Sequence, residues 1–185
     1  ADGFDPLYFG KFQTNARKIA FAASIGKDEI TAQERQALNE LVRHLDAIGV
    51  REESMPQLID QPSTCVVDPC MLLSAENWRK ISDDTPVEGD FIFIYQLFRN
   101  PKIIETAIKL QKRLKKNVLI LSPYPLLFPP EGIHKLGRIT PNAFISYFDR
   151  ASAVISDSFH GTLFSTLFEK PFYTILPGAK TGRIT

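Results

Sequence analysis

Between Ser156 and Thr162 the sequence Ser-Asp-Ser-Phe-His-Gly-Thr places a carboxylate, three hydroxyls, an imidazole and a glycine within seven residues. The apolar run Ala153-Val154-Ile155 leads into it, and Thr162-Leu-Phe-Ser-Thr-Leu-Phe168 leads out, so the segment reads as a strand-to-helix turn. Polar groups at such a turn lie at a carboxyl strand end, where the N–H groups of the following helix attract anions. Asp157 or Ser158 is expected to cap that helix, and Gly161 to allow backbone or ligand to approach closely. A helix start disfavours the imidazolium form of His160, whereas a bound phosphate or carboxylate favours it, so an anion there would let His160 exchange a proton near neutral pH. A purely structural role, with Asp157 and Ser158 capping and His160 an ordinary histidine, is also open.

Positioning this turn requires a regular α/β framework, and the pattern supplies one. Residues 18–24 (KIAFAAS) form a short apolar strand, and Thr31-Ala-Gln-Glu34 is a capping box opening a helix with Leu38, Leu41, Val42 and Leu45 on one stripe. Ile48 to Val50 and Thr64 to Val67 read as short strands, with Glu52 to Ile59 helical between them. Asp68-Pro69 favours a turn, and Ser74 caps a short helix. Residues 82–89, with Asp83, Asp84, Pro86 and Gly89, read as a hinge. From Asp90 the order is strand (FIFIYQL), helix from Asn100-Pro101 to Lys116, strand (NVLILS), a proline-rich loop from Pro123 to Pro130, helix from Thr140-Pro141, strand, the helix Phe159 to Phe168, and a last strand from Phe172 to Leu176. Strands that are apolar throughout predict a doubly wound parallel sheet, Rossmann-like, covered on both faces.

Composition narrows the partners. The 185 residues are 44% hydrophobic and 23% charged with a net charge of +1, a balance that gives no field for nucleic acid. Six basic residues against one acid between Lys102 and Lys116 read as a solvated helix face. No apolar run reaches the roughly 18–20 residues that span a bilayer, so no stable membrane insertion is expected. Cys65 and Cys70 read as free, partly buried thiols, and the scattered histidines His44, His134 and His160 draw no zinc motif, so no metal is expected. Free thiols and the absence of a signal-like start point to the cytoplasm, although Ala1 is not an initiator methionine.

The run AVISDSFHGTLFSTLFEKPF (Ala153 to Phe172), with Asp157 to Thr162 at its centre, resembles the signature of the polysaccharide pyruvyl transferase family. KIAFAASIG (Lys18 to Gly26), AIGVRE (Ala47 to Glu52) and VVDPCMLLSAENW (Val66 to Trp78) are similar to further family stretches in the same order. The resemblance implies the C-terminal half of a GT-B-like two-domain fold with its active site in the cleft between the halves. Residues 1–50 would be a remnant of the N-terminal half and residues 51–185 the C-terminal domain, lacking its terminal helix. A truncated chain of that kind is not assured of independent activity.

The resemblance further implies transfer of the enolpyruvyl unit of phosphoenolpyruvate to two hydroxyls of a sugar or glycan acceptor, giving a cyclic pyruvate ketal, with no cofactor. His160 would be the general acid, with Ser158, Gly161 and Thr162 around the substrate. Arg51 would grip carboxylate or phosphate, and Lys180 and Arg183 would complete the anion site. For Arg51 an ion pair with Glu52 or Glu53 is the alternative. Ser122, Tyr124 and the proline-rich loop would line an acceptor groove or form a simple loop. Three other functions stay open at this point: a nucleotide-sugar glycosyltransferase on the same scaffold, a noncatalytic anion- or sugar-binding module, and a hydrolase using Ser158 and His160. The last is disfavoured because those side chains diverge at a helix start and no Gly-x-Ser-x-Gly elbow is present.

Overall fold

Every helix that the sequence caps begins where the cap says. The Thr31 hydroxyl accepts from the Glu34 amide at 3.2 Å while the Glu34 carboxylate accepts from the Thr31 amide at 2.8 Å, closing the capping box. The Ser74, Asn100 and Thr140 side chains each accept from an amide of the first turn of their helices, the last two followed by proline at the first helical position. The computed structural model describes residues 5–26, 29–83, 89–126 and 129–176. Of the expected hinge, residues 84–88 lie outside these, as do residues 127 and 128 of the proline-rich loop.

The chain divides into two compact units, Ala1–Leu72 and Leu73–Thr185. In the first, strands β1 (Ile19–Ala23), β2 (Ala47–Val50) and β3 (Thr64–Cys65) form a parallel sheet in that order, and helix α1 (Ala32–Val42) connects β1 to β2. Leu38, Val42, Ile48, Val50, Met55 and Ile59 make its core. Residues 51–72, expected with the second domain, therefore belong to the first unit, because β3 adds to β2. The helix expected from Glu52 to Ile59 is a single 3₁₀ turn at Met55–Gln57. A short segment with Pro56 in it cannot build an α-helical ladder, and burial of Met55 holds the turn instead.

The second unit holds helix α2 (Ala75–Arg79), β4 (Phe91–Tyr95), α3 (Pro101–Leu114), β5 (Asn117–Leu121), β6 (Ile133–Lys135), α4 (Pro141–Arg150), β7 (Ala153–Ser156), α5 (Phe159–Leu167) and β8 (Phe172–Thr174). Its five strands are all parallel in the order β6-β5-β4-β7-β8, a doubly wound sheet whose strand order reverses between β4 and β7. Alternation along β4 assigns the two faces. Ile92 and Ile94 pack with Val118, Ile120 and Ile155 beneath Ile103 and Ala107 of α3, while Phe93 stacks on Tyr147 and meets Phe148 edge-on beneath α4. Aromatic packing continues through Phe164 of α5 to Trp78 of α2.

The one polar residue on the apolar stripe of α3, Gln111, has a use that its position alone does not reveal. Its amide nitrogen donates to the carbonyl of Glu131 at 2.7 Å and so holds the chain entering β6, a strand with no clear pattern in the sequence. Gly132 follows with φ +74°, a left-handed angle that favours glycine, and a Cβ there would fall 2.4 Å from that same nitrogen and push the Gln111 amide aside.

Phe93 is fully buried between two aromatic side chains of α4. Phe93→Ala is expected to destabilise the second unit by about 3–5 kcal/mol through lost burial and an unfilled cavity. Urea unfolding followed by the fluorescence of Trp78, the single tryptophan, measures this; a loss below about 1 kcal/mol would contradict the packing described.

Candidate functional site

The reversal of strand order puts the ends of β4 and β7 side by side, with Tyr95 in register with Ser156. Ligands of open α/β sheets bind at such a crevice, beyond the carboxyl ends of the strands. The two strands are also tied there by side chains. Ser156 donates its hydroxyl to the carbonyl of Tyr95 at 2.7 Å and accepts from the amide of Ser158 at 3.1 Å.

Asp157 does not cap α5, contrary to the expectation. Its carboxylate, 1% exposed, reaches across the switch point and accepts from the amides of Leu97 at 2.7 Å and Phe98 at 2.9 Å, in the loop that follows β4. A buried carboxylate must be satisfied by donors, and two amides aimed at its two oxygens do this. Ser158 occupies the cap position but makes no side-chain capping bond. Tyr95 responds to both neighbours. Burial pushes its phenol above the ordinary value of 10.0, the Asp157 charge adds to that, and a side-chain hydrogen bond with Ser158 works the other way.

Of the site residues expected in this turn, one faces solvent. His160 is exposed at the second position of α5, its ring centroid 5.2 Å from that of Phe159 with the planes at 82°. Ser158 and Gly161 are buried and Thr162 is half-buried. The close approach expected at Gly161 is to protein: a Cβ there would lie 2.0 Å from the Ser156 hydroxyl oxygen and 3.3 Å from the Tyr95 ring. Thr162 shares a 2.8 Å hydrogen bond with Thr174 of β8 and donates to the carbonyl of Ser158 at 3.3 Å. Its amide donates to the Ser158 carbonyl at 3.0 Å, closing the first turn of the helix. The turn thus presents an imidazole on a helix start whose supporting residues are locked to two strands.

A second set of polar residues lies at the carboxyl edge of the first unit's sheet. Arg51, directly after β2, forms an ion pair with Asp68. Glu52 accepts from the Ser24 hydroxyl. Asp68 also accepts from the Cys70 amide at 2.9 Å, so the expected turn residue is an ion-pair partner as well. Burial pushes the Asp68 carboxyl up, but the Cys70 amide and Arg51 more than offset it and leave it below its ordinary value. The Cys70 thiol moves the opposite way, to about 11, through burial first and then through its hydrogen bond to Asp68. Such a shift favours the protonated thiol at neutral pH. Cys65, expected to be partly buried, is exposed. Lys180 and Arg183 lie outside the described residues.

Sequence reading missed Gln96 and the backbone bond made by Tyr124. Gln96, 6% exposed, donates to the carbonyl of Phe98 at 2.8 Å and accepts from Ser122 at 3.1 Å; the Tyr124 hydroxyl donates to the carbonyl of Leu97 at 3.2 Å. A polar residue closing the apolar run FIFIY was the available signal for Gln96.

Among known families, the model described as polysaccharide pyruvyl transferase matches residues 2–177. Comparison with curated proteins finds no match. Among solved structures, UDP-GlcNAc 2-epimerase from Methanocaldococcus jannaschii is similar at 15% identity with a TM-score of 0.41, over 57% of this chain and 36% of that one. Among the described residues, no helix is long and apolar enough to cross a membrane.

Asp157→Asn keeps the shape of the side chain but turns an acceptor into a donor facing an N–H group. The expected loss is about 1–3 kcal/mol, the usual result of leaving a buried polar group unsatisfied. Hydrogen exchange is expected to quicken at the Leu97 and Phe98 amides; unchanged exchange there would contradict the clamp.

Proposed function

Because the chain belongs to the polysaccharide pyruvyl transferase family, we propose that it transfers the enolpyruvyl group of phosphoenolpyruvate to a sugar of a polysaccharide or its precursor, forming a pyruvate ketal. The observation that carries this reading is the exposed His160 on the start of α5, beside the ends of β4 and β7. An imidazole there can give up a proton next to amides that hold an anion.

The reaction places definite demands on these groups. One acceptor hydroxyl attacks the central carbon of phosphoenolpyruvate while His160 gives its proton to the methylene carbon, which becomes a methyl group, and the proton shed by the attacking hydroxyl returns to His160. Phosphate then leaves with the electrons of the C–O bond. The second hydroxyl traps the resulting oxocarbenium-like centre and closes the ring, and its proton leaves with the phosphate. A substrate bearing both phosphate and carboxylate needs amides and cations to hold it. In this proposal Arg51 keeps its anion-gripping role, and Lys180 and Arg183 act in the segment after β8. Asp68 keeps the Arg51 guanidinium in one orientation. Ser158, Gly161 and Thr162 act by fixing the turn that carries His160. The reaction needs no cofactor, and the setting is cytoplasmic.

Mass spectrometry of sugar acceptors incubated with phosphoenolpyruvate and the full protein tests this. Wild type is expected to add a pyruvate ketal to one acceptor, and His160→Ala to lower that rate by roughly 10²–10⁴-fold, the usual contribution of a positioned acid. Equal ketal formation by both proteins would remove His160 from the mechanism.

A further inference from the structure

The dipeptide Leu97-Phe98 is held in an unusual way. All four of its backbone polar groups are taken by side chains. The two amides go to Asp157, the Leu97 carbonyl accepts from Tyr124 at 3.2 Å, and the Phe98 carbonyl accepts from Gln96 at 2.8 Å. These three side chains come from the β7–α5 turn, the loop after β5 and the residue after β4. Two of them, Asp157 and Gln96, are almost wholly buried. Gln96 is itself fixed by Ser122.

What the clamp presents is apolar and partly exposed. Leu97 and Phe98 are each 38% exposed. The clamp acts on main-chain atoms and would hold any pair of side chains equally well, so it does not by itself call for leucine and phenylalanine. A loop that binds only anions at a carboxyl strand end would be better served by small or cationic residues. Water is a poor neighbour for an aromatic ring and a branched aliphatic chain, and a ligand with a flat C–H face displaces it favourably.

We propose that Leu97 and Phe98 form a preorganised stacking surface for the apolar face of the acceptor's sugar ring. The inference deepens the pyruvyl-transfer reading and rests on it for the identity of the acceptor. Phosphoenolpyruvate is small and carries charge along its length, so it draws on cations and amides. A pyranose ring has hydroxyls at its rim and axial C–H bonds on its faces, which suits an aromatic platform bordered by polar groups. Asp157 ties this platform to the turn that carries His160 three residues later, so a ring stacked on it lies along the edge where the proton is given. Because the backbone is already fixed, binding costs little ordering entropy.

The test uses the full protein, with the methyl glycosides of galactose, glucose, mannose and N-acetylglucosamine as probes. Saturation-transfer NMR without phosphoenolpyruvate reports sugar binding, and steady-state kinetics report KM for each substrate. Phe98→Ala is expected to weaken the preferred glycoside roughly five- to tenfold while leaving KM for phosphoenolpyruvate within about twofold. Phe98→Tyr, which keeps the ring, is expected to retain wild-type affinity and guards against a folding defect. Saturation transfer that is absent from wild type for all four glycosides, or unchanged in Phe98→Ala, overturns the surface, as does an equal rise in both KM values. A saturation-transfer signal present in wild type and abolished by Phe98→Ala, with no ketal formed by wild type, would uphold the surface and sink the transfer reading. Ketal formation with the acceptor KM unmoved by Phe98→Ala would do the reverse.

Discussion

A buried carboxylate must find donors, and the way Asp157 finds them in the backbone organises the second unit's carboxyl edge. Its two oxygens accept from consecutive amides in the loop after the neighbouring strand. β4 and β7 pair only as far as Tyr95 and Ser156, and Asp157 carries the connection one step past the end of the ladder. With Ser156 bonded to the Tyr95 carbonyl and its hydroxyl oxygen pressed against Gly161, the start of α5 has little freedom to shift. His160 is exposed, but the turn beneath it is fixed. That combination suits a group that must meet a mobile substrate in one orientation.

The same edge shows how a sheet divides labour between its two faces and its rim. Isoleucines beneath α3 and aromatics beneath α4 make the layers. The polar residues gather past the strand ends, where Gln96, Ser122, Tyr124, Ser156 and Asp157 bond mainly to backbone. In the first unit the corresponding edge holds Ser24, Arg51, Glu52, Asp68 and Cys70. There an ion pair, rather than amides alone, satisfies the buried acid. Arg51 is thereby held in place, which is a condition for gripping an anion with a planar guanidinium.

Local signals were readable in the sequence, and nonlocal ones were not. Capping boxes and proline-started helices act within four residues, so Thr31, Ser74, Asn100 and Thr140 announced their helices correctly. Apolar strands alternating with helices pointed to the parallel sheet. Asp157 looked like a cap because a carboxylate before a helix usually is one, and its true partners lie 60 and 59 residues earlier. Separation along the chain also hid the pairing of Arg51 with Asp68, 17 residues apart. Gln111 broke an otherwise apolar stripe for a reason visible only once the chain before β6 is in place. Pattern reading extended the helix before Ile59 and missed β6, since three residues are too few to show a period. The division near residue 50 came from where the resemblance splits, whereas the compact units follow β3, which closes the first sheet.

The account stands on His160 meeting an anionic donor at the start of α5. NMR of the imidazoles during a titration with phosphoenolpyruvate addresses this directly, because the chain has three histidines to distinguish. The prediction is that the His160 resonance alone shifts and that its titration moves to higher pH as the bound anion favours the imidazolium form. A His160 resonance that ignores the donor at saturating concentration, while catalysis proceeds, would contradict it.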